Sequence, residues 1–147
     1  MKSVLYVPVT IIGLALFSCA KDSANDPNSP SNPTTDPRES YTGNWNVTEN
    51  STTSNTPNTY IVSIGKHVTN SSAIVINNFY GLTNYSVSAT VSGNGFIIPY
   101  QSIKNNTNST IGFASGVGVL TTATKIDITY TTSISGNRDS CSANYTK

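Results

Sequence analysis

The chain has 147 residues, of which only 10% are charged, and eight Lys or Arg stand against seven Asp or Glu for a formal net charge of +1. That sparse balance supplies no basic stripe for nucleic acid and no acidic run for a cationic partner, so nucleic-acid binding is not expected. One His and two Cys are too few for a site where several His, Cys or carboxylates must converge, so neither a metal nor another cofactor is expected.

The N-terminus begins with one positive charge at Lys2, followed by an apolar run over residues 4–17. Charge, apolar run and small residues, in that order, are the pattern of a secretory signal. As a helix the run would span about 21 Å, short of the roughly 30 Å of bilayer hydrocarbon. The segment Leu16-Phe17-Ser18-Cys19 resembles the lipobox of bacterial lipoproteins, with Phe17 departing from the usual small or β-branched residue. The resemblance implies a signal peptide over residues 1–18, cleavage before Cys19, and a diacylglycerol thioether on Cys19, usually with an N-acyl chain such as palmitate. Membrane lipid would then be the partner, each buried methylene contributing about 0.8 kcal/mol. Ala20 stands where Asp would mark inner-membrane retention, and Lys21-Asp22 resembles the charged export signals of Bacteroidetes-type lipoproteins. Both imply an outer-membrane anchor, on the periplasmic or the cell-surface face. Asp22-Ser23-Ala24 resembles the O-glycosylation acceptor of the same group, which makes Ser23 a candidate site.

Residues 19–40 read as a lipidated cysteine and a disordered tether. Residues 20–40 hold no large apolar side chain and carry Pro27, Pro30, Pro33 and Pro37 among Asn, Ser, Thr and Asp. Such a segment cannot bury enough surface to offset its ordering entropy. Extended as polyproline II, it would reach roughly 65 Å.

Residues 41–147 read as one all-β domain. Tyr85, Val87, Ala89 and Val91 alternate with Ser86, Ser88, Thr90 and Ser92, and the same period of two recurs over 125–132 and 141–146. Turn chemistry at Pro57, Gly81, Gly93-Asn94-Gly95, Asn105-Asn106 and Ser135-Gly136-Asn137 divides the domain into about eight strands. They are expected near 43–49, 59–65, 72–79, 85–92, 96–103, 109–119, 125–133 and 140–146. Short consecutive strands predict an antiparallel up-and-down meander closing into a barrel, with a two-sheet β-sandwich as the alternative.

Gly43-Asn44-Trp45 opens the first expected strand. The domain here resembles the lipocalins and related lipid-binding barrels, in which Gly-x-Trp starts strand one and the Trp plugs the closed end. That family packs an arginine over the Trp. Arg138 lies at the wrong end of the last strand for this role, and Lys147 is a poor substitute. The implied fold is a lipocalin-like barrel.

Strand parity places Trp45, Val47, Val62, Ile64, Ile74, Ile76, Ile111, Phe113, Ile126 and Ile128 in one interior. Tyr60, Tyr85, Tyr100, Tyr130 and Tyr145 share that parity, and the first four are the candidate ligand-binding residues. The alternative is a filled core with tyrosines at the rim and wet hydroxyls. Glu49 and Asp139 fall near one rim with inward parity, as solvated acids more readily than as a glycosidase pair. His67 sits in a loop, and Gly112-Phe113-Ala114-Ser115-Gly116 misses a nucleophile elbow by one position. No catalytic residue is expected. Gly112, Gly116 and Gly118 relieve crowding where a strand bends, and Cys141 reads as a small buried residue. The expected function is a non-enzymatic outer-membrane lipoprotein binding a small apolar or glycan ligand in the barrel mouth. A surface interaction or inhibitor-like protein acting through loops is the alternative.

Overall fold

The computed structural model describes residues 35–147. The expected signal peptide, Cys19, Ser23 and all but the last residues of the tether lie outside the described residues. Eight strands follow one another: β1 (Gly43–Ser51), β2 (Asn58–Lys66), β3 (Ala73–Asn77), β4 (Tyr85–Ser92), β5 (Gly95–Asn105), β6 (Thr110–Thr122), β7 (Lys125–Ile134) and β8 (Asn137–Thr146). Each pairs antiparallel with the next, and β1 pairs with β8. That last pairing closes the sheet into a barrel and excludes the sandwich. Val47 lies opposite Tyr60 on one side and Tyr145 on the other, so the registers of β2 and β8 are locked to the same inward positions of β1.

The alternating pattern works as the pleat requires: Trp45, Val47 and Glu49 are buried along β1 and Asp139, Cys141, Ala143 and Tyr145 along β8. Trp45, Val47, Cys141, Ala143 and Tyr145 form one core with Val62, Ile64, Ile74, Ile76, Ile126 and Ile128. Each such apolar side chain is worth about 1.5–3 kcal/mol of burial.

Strand β6 reverses the expectation. Its inward positions are Gly112, Ala114, Gly116, Gly118 and Leu120, while Phe113, Val117 and Val119 are exposed on the outer surface. A Cβ on Gly118 would stand 2.3 Å from the Phe96 ring, and one on Gly116 would stand 2.4 Å from the Tyr130 Cβ. Side chains from β5 and β7 fill the space over β6, so only its small residues can face inward. Tyr100 also departs from its expected parity. The β5–β6 register shifts between Ile98 and Gln101, and this extra residue turns Tyr100 outward, where it is 74% exposed.

Two ends of the barrel follow from the meander. One carries the chain entry, the 67–72, 93–94 and 123–124 turns and Lys147. There a 3₁₀ turn, Pro37–Tyr41, is capped by Asp36, whose side chain accepts from the Arg38 backbone N–H. The Arg38 guanidinium pairs with Asp36 at 2.7 Å and reaches the Asn70 carbonyl at 3.0 Å. Tyr41 is fully buried, edge-on to Phe96 with centroids 5.6 Å apart. Residues 36–40, expected in the tether, therefore pack with the barrel, because Arg38 makes hydrogen bonds to it that the proline spacing does not announce. Trp45 is fully buried here, its indole N–H donating to the Tyr41 carbonyl at 2.7 Å. Lys147 takes the position over its ring.

The other end is built from the 52–57, 78–84, 106–109 and 135–136 connections. Strand β3 stops at Asn77, short of the expected 79, because Asn78 takes φ 59° and turns the chain over the barrel.

Candidate functional site

At this second end the Phe79–Gly81 turn crosses the barrel mouth. Asn78, Tyr80 and Gly81 all have positive φ, 59°, 58° and 67°. Glycine and asparagine accept that region readily; a tyrosine there is an outlier held by its surroundings. The turn aims Phe79 inward, where it is fully buried with its ring centroid 4.7 Å from that of Tyr130. Tyr80 lies along the rim and donates its phenol hydrogen to Asp139 Oδ2 at 2.7 Å.

Asp139 is a hub. Ser51 donates to Oδ2 at 2.6 Å, and Thr52 donates to Oδ1 through its backbone N–H and its hydroxyl at 3.0 and 2.9 Å. Burial by itself would raise the carboxyl pKa. The hydrogen bonds from Ser51, Tyr80 and Thr52 outweigh that and hold it well below the usual range. Burial, reinforced by Asp139, pushes the Tyr80 phenol up to about 12. The Cys141 thiol, pushed up to about 12 by burial and then by Glu49 and Asp139, also donates to Asp139.

Outside Tyr80 opens a cleft of about 670 Å³, walled by Leu82, Thr132 and Ile134 with Thr53, Asn137, Arg138 and Asp139 around it. Inside the barrel the Glu49 carboxylate is 1% exposed. Tyr60 and Tyr130 both donate phenol hydrogens to its Oε2. Burial, the neighbouring phenols and the Glu49 charge raise both phenol pKa values well above the ordinary tyrosine range. The Tyr145 hydroxyl, also buried, has no hydrogen-bond partner, and neither has that of Tyr41 at the other end.

Of the four candidate tyrosines the structure brings Tyr60 and Tyr130 together inside the barrel. Tyr85 is half-buried at the start of β4, packed against the core. Tyr100 stands apart on the outer wall, stacked on Phe113 with centroids 5.3 Å apart. Gly43 and Trp45 are at the opposite end from the mouth. The rim reading of the acids is corrected: Glu49 and Asp139 are 1% and 4% exposed and hydrogen-bonded instead of solvated. Hydroxyls expected to be wet are instead the donors that make this burial tolerable. His67 lies at the far end, accepting at Nδ1 from the Thr69 backbone N–H at 3.3 Å. Ser115 is half-buried and shares a 3.3 Å hydrogen bond with Thr131. Among the described residues no group of three or more His, Cys, Asp or Glu could hold a metal ion. Strand parity and motifs do not point to Phe79, Tyr80 or Leu82 as site residues, and Arg138 enters there only as a misplaced counterpart of the family's arginine. Asn78, Gly81 and Asn84, three residues that accept positive φ within one connection, are the signal that could have found them.

No protein-family model and no curated protein matches the chain. Among solved structures, that of EF1p2_mFAP2b bound to DFHBI superposes with a TM-score of 0.50 at 12% identity, over 76% of this chain and 97% of that one. The likeness is one of fold, a closed lipocalin-like antiparallel barrel.

Proposed function

We propose that the chain is a lipid-anchored, non-enzymatic binding protein that takes a small ligand at the open end of its barrel. The observation that carries this reading is the cleft of about 670 Å³ beside Tyr80, with Leu82 and Ile134 as an apolar wall and Asn137 and Arg138 as polar groups. A mostly apolar concavity with a few placed polar groups suits a ligand with an apolar body and a polar edge, a hydroxylated or glycan-like group included. The neighbour of like fold, solved with DFHBI bound, supports the use of such a barrel for a small molecule. Attachment to the outer membrane through lipid on Cys19 is part of the proposal and rests on the Leu16–Cys19 sequence.

Native mass spectrometry of the full-length chain, extracted from its own host, tests the binding reading. A retained small molecule that is lost from Leu82→Asp or Ile134→Asp supports it; a bare chain under conditions that preserve the fold speaks against it. Metabolic labelling with radioactive palmitate tests the anchor, with Cys19→Ser losing the label. The second reading, a surface interaction protein, is favoured by exposed apolar residues on the outer wall, Ile97, Val117 and Val119, beside the Tyr100–Phe113 pair. Loss of a protein partner on Val117→Lys, with no small molecule retained, would select it.

A further inference from the structure

Four features of the barrel interior lead to one conclusion. The first is a carboxylate where a packed core needs none. Glu49 is 1% exposed, and the ion pairs among the described residues, those of Arg38, Lys66 and Lys125, do not involve it. A buried charge without a cation is retained only where something offsets its desolvation. Tyr60 and Tyr130 do so, yet both donate to Oε2, which leaves Oε1 outside these two bonds. The second is the buried Tyr145 hydroxyl, which has no partner. It belongs to the same interior: Val47, opposite Tyr145, and Glu49 are successive inward positions of β1. A buried acceptor and a buried hydroxyl that has the Tyr60 phenol as its neighbour and no well-formed hydrogen bond thus stand on adjoining inward positions of the barrel.

The third feature is the ring that packs on Tyr130, one of the two phenols bound to Glu49. Phe79 is fully buried against Tyr130, and it does not come from a strand. It comes from a turn whose residues before and after it have left-handed backbone, Tyr80 at φ 58° among them. Strain of this kind collects at clamps and switches, where its release has a use. The fourth is the route. Tyr80 lines the outer cleft, with its ring edge-on to Tyr130 at 6.3 Å between centroids and its hydroxyl donating to Asp139 at 2.7 Å. Lifting the turn would withdraw Phe79 and Tyr80 together from the Tyr130 ring, on the side where the cleft lies.

We propose that the Glu49 cluster recognises a flat aromatic molecule bearing a hydrogen-bond donor, a phenol or an aromatic amine, and that Phe79 occupies the place of its ring in this structure. The ligand ring packs on Tyr130 where Phe79 now lies. Its O–H or N–H donates to Glu49, and its heteroatom accepts from Tyr145. The inference rests on the small-ligand reading above and adds the ligand's chemistry and the displaced side chain.

Two probes of one shape separate recognition from mere space: p-cresol, which carries the donor, and toluene, which lacks it. Phe79→Ala vacates the ring position. Calorimetry on this variant is expected to show p-cresol binding at least ~10-fold more tightly than toluene, because a site built to hydrogen-bond rejects an analogue lacking the group. Phe79→Ala/Glu49→Gln is expected to lose most of that preference. Equal affinity for the two probes in Phe79→Ala means a dry apolar hole and overturns the proposal. The unmutated chain gives a readout that does not depend on the variant folding. At saturating p-cresol the NMR ring signals of Phe79 and Tyr130 are expected to shift together; unmoved Phe79 signals overturn the proposal. A host ligand retained in the absence of any p-cresol preference would place binding in the outer cleft, sinking this inference and leaving the broader reading standing.

Discussion

The Lys147 ammonium lies 4.2 Å from the centre of the Trp45 ring and donates to the Thr42 carbonyl at 2.8 Å. The last residue of β8's extension thus caps the indole that the first strand buries. Lys147→Ala is expected to lower stability by about 1 kcal/mol through the lost cation–π contact and hydrogen bond, and Lys147→Arg to keep most of it. Urea unfolding, with the midpoint shifting and the slope unchanged, checks this.

Glycines of the barrel wall differ in what surrounds them. A Cβ at Gly118 meets the Phe96 ring at 2.3 Å, whereas nothing lies within 4 Å of one at Gly65. Gly118→Ala is expected to cost about 1–3 kcal/mol and Gly65→Ala nothing. Phe96→Leu should recover part of the Gly118→Ala loss, read as a coupling energy in a double-mutant cycle.

Acid sensitivity follows from Asp139. Its folded pKa lies below that of the unfolded chain, so it contributes stability that is fully present above the unfolded carboxyl value, near pH 4, and is lost as pH falls further. Asp139→Asn is expected to be less stable at pH 7 by about 1–3 kcal/mol, since Ser51, Thr52 and Tyr80 lose their charged acceptor. Its urea midpoint should fall less steeply from pH 5 to pH 3 than that of the unaltered chain. A residual slope belongs to Asp36, which hydrogen bonds from Arg38 hold low in the same direction.

Cys141 is 5% exposed and its thiol is pushed up to about 12. Little thiolate forms at neutral pH, and reagent cannot reach it in the native barrel. Iodoacetamide labelling, located by peptide mapping, is expected to be negligible at Cys141 in the folded chain and complete in 8 M urea, the ~8 M being a concentration at which small domains are ordinarily unfolded.

Much of this architecture can be read from residue order alone. β4 runs over Tyr85–Ser92 as its alternation predicts, and Gly93-Asn94 makes the expected tight turn. Legibility fails where one strand's side chains decide another strand's parity. On β6, Phe113 outweighs Gly112 in any hydrophobic pattern, yet Phe96 and Tyr130 claim the inner space and leave β6 only its small residues. Tyr100 is misread for a related reason: a bulge reverses parity and leaves no mark of its own in composition. At the mouth, Glu49 had the right parity but not the right environment. Its burial depends on two phenols brought from β2 and β7, residues 11 and 81 positions away, and pairing at such separations is invisible to local pattern. Apolar and continuous with β3, Phe79 reads as the end of the expected 72–79 strand; the positive φ values that swing it inward belong to Asn78 and Tyr80.

The β1–β8 seam carries a kinetic consequence. Every other pairing joins strands consecutive in the chain, whereas this one sets Asn46 opposite Thr146. Local hairpins can zip early, but the seam must bring the two ends of the domain together, so it forms late. Until it does, both terminal strands offer unpaired backbone to any neighbour. Refolding at high protein concentration should therefore divert chains into domain-swapped dimers in which β1 of one copy completes the barrel of another.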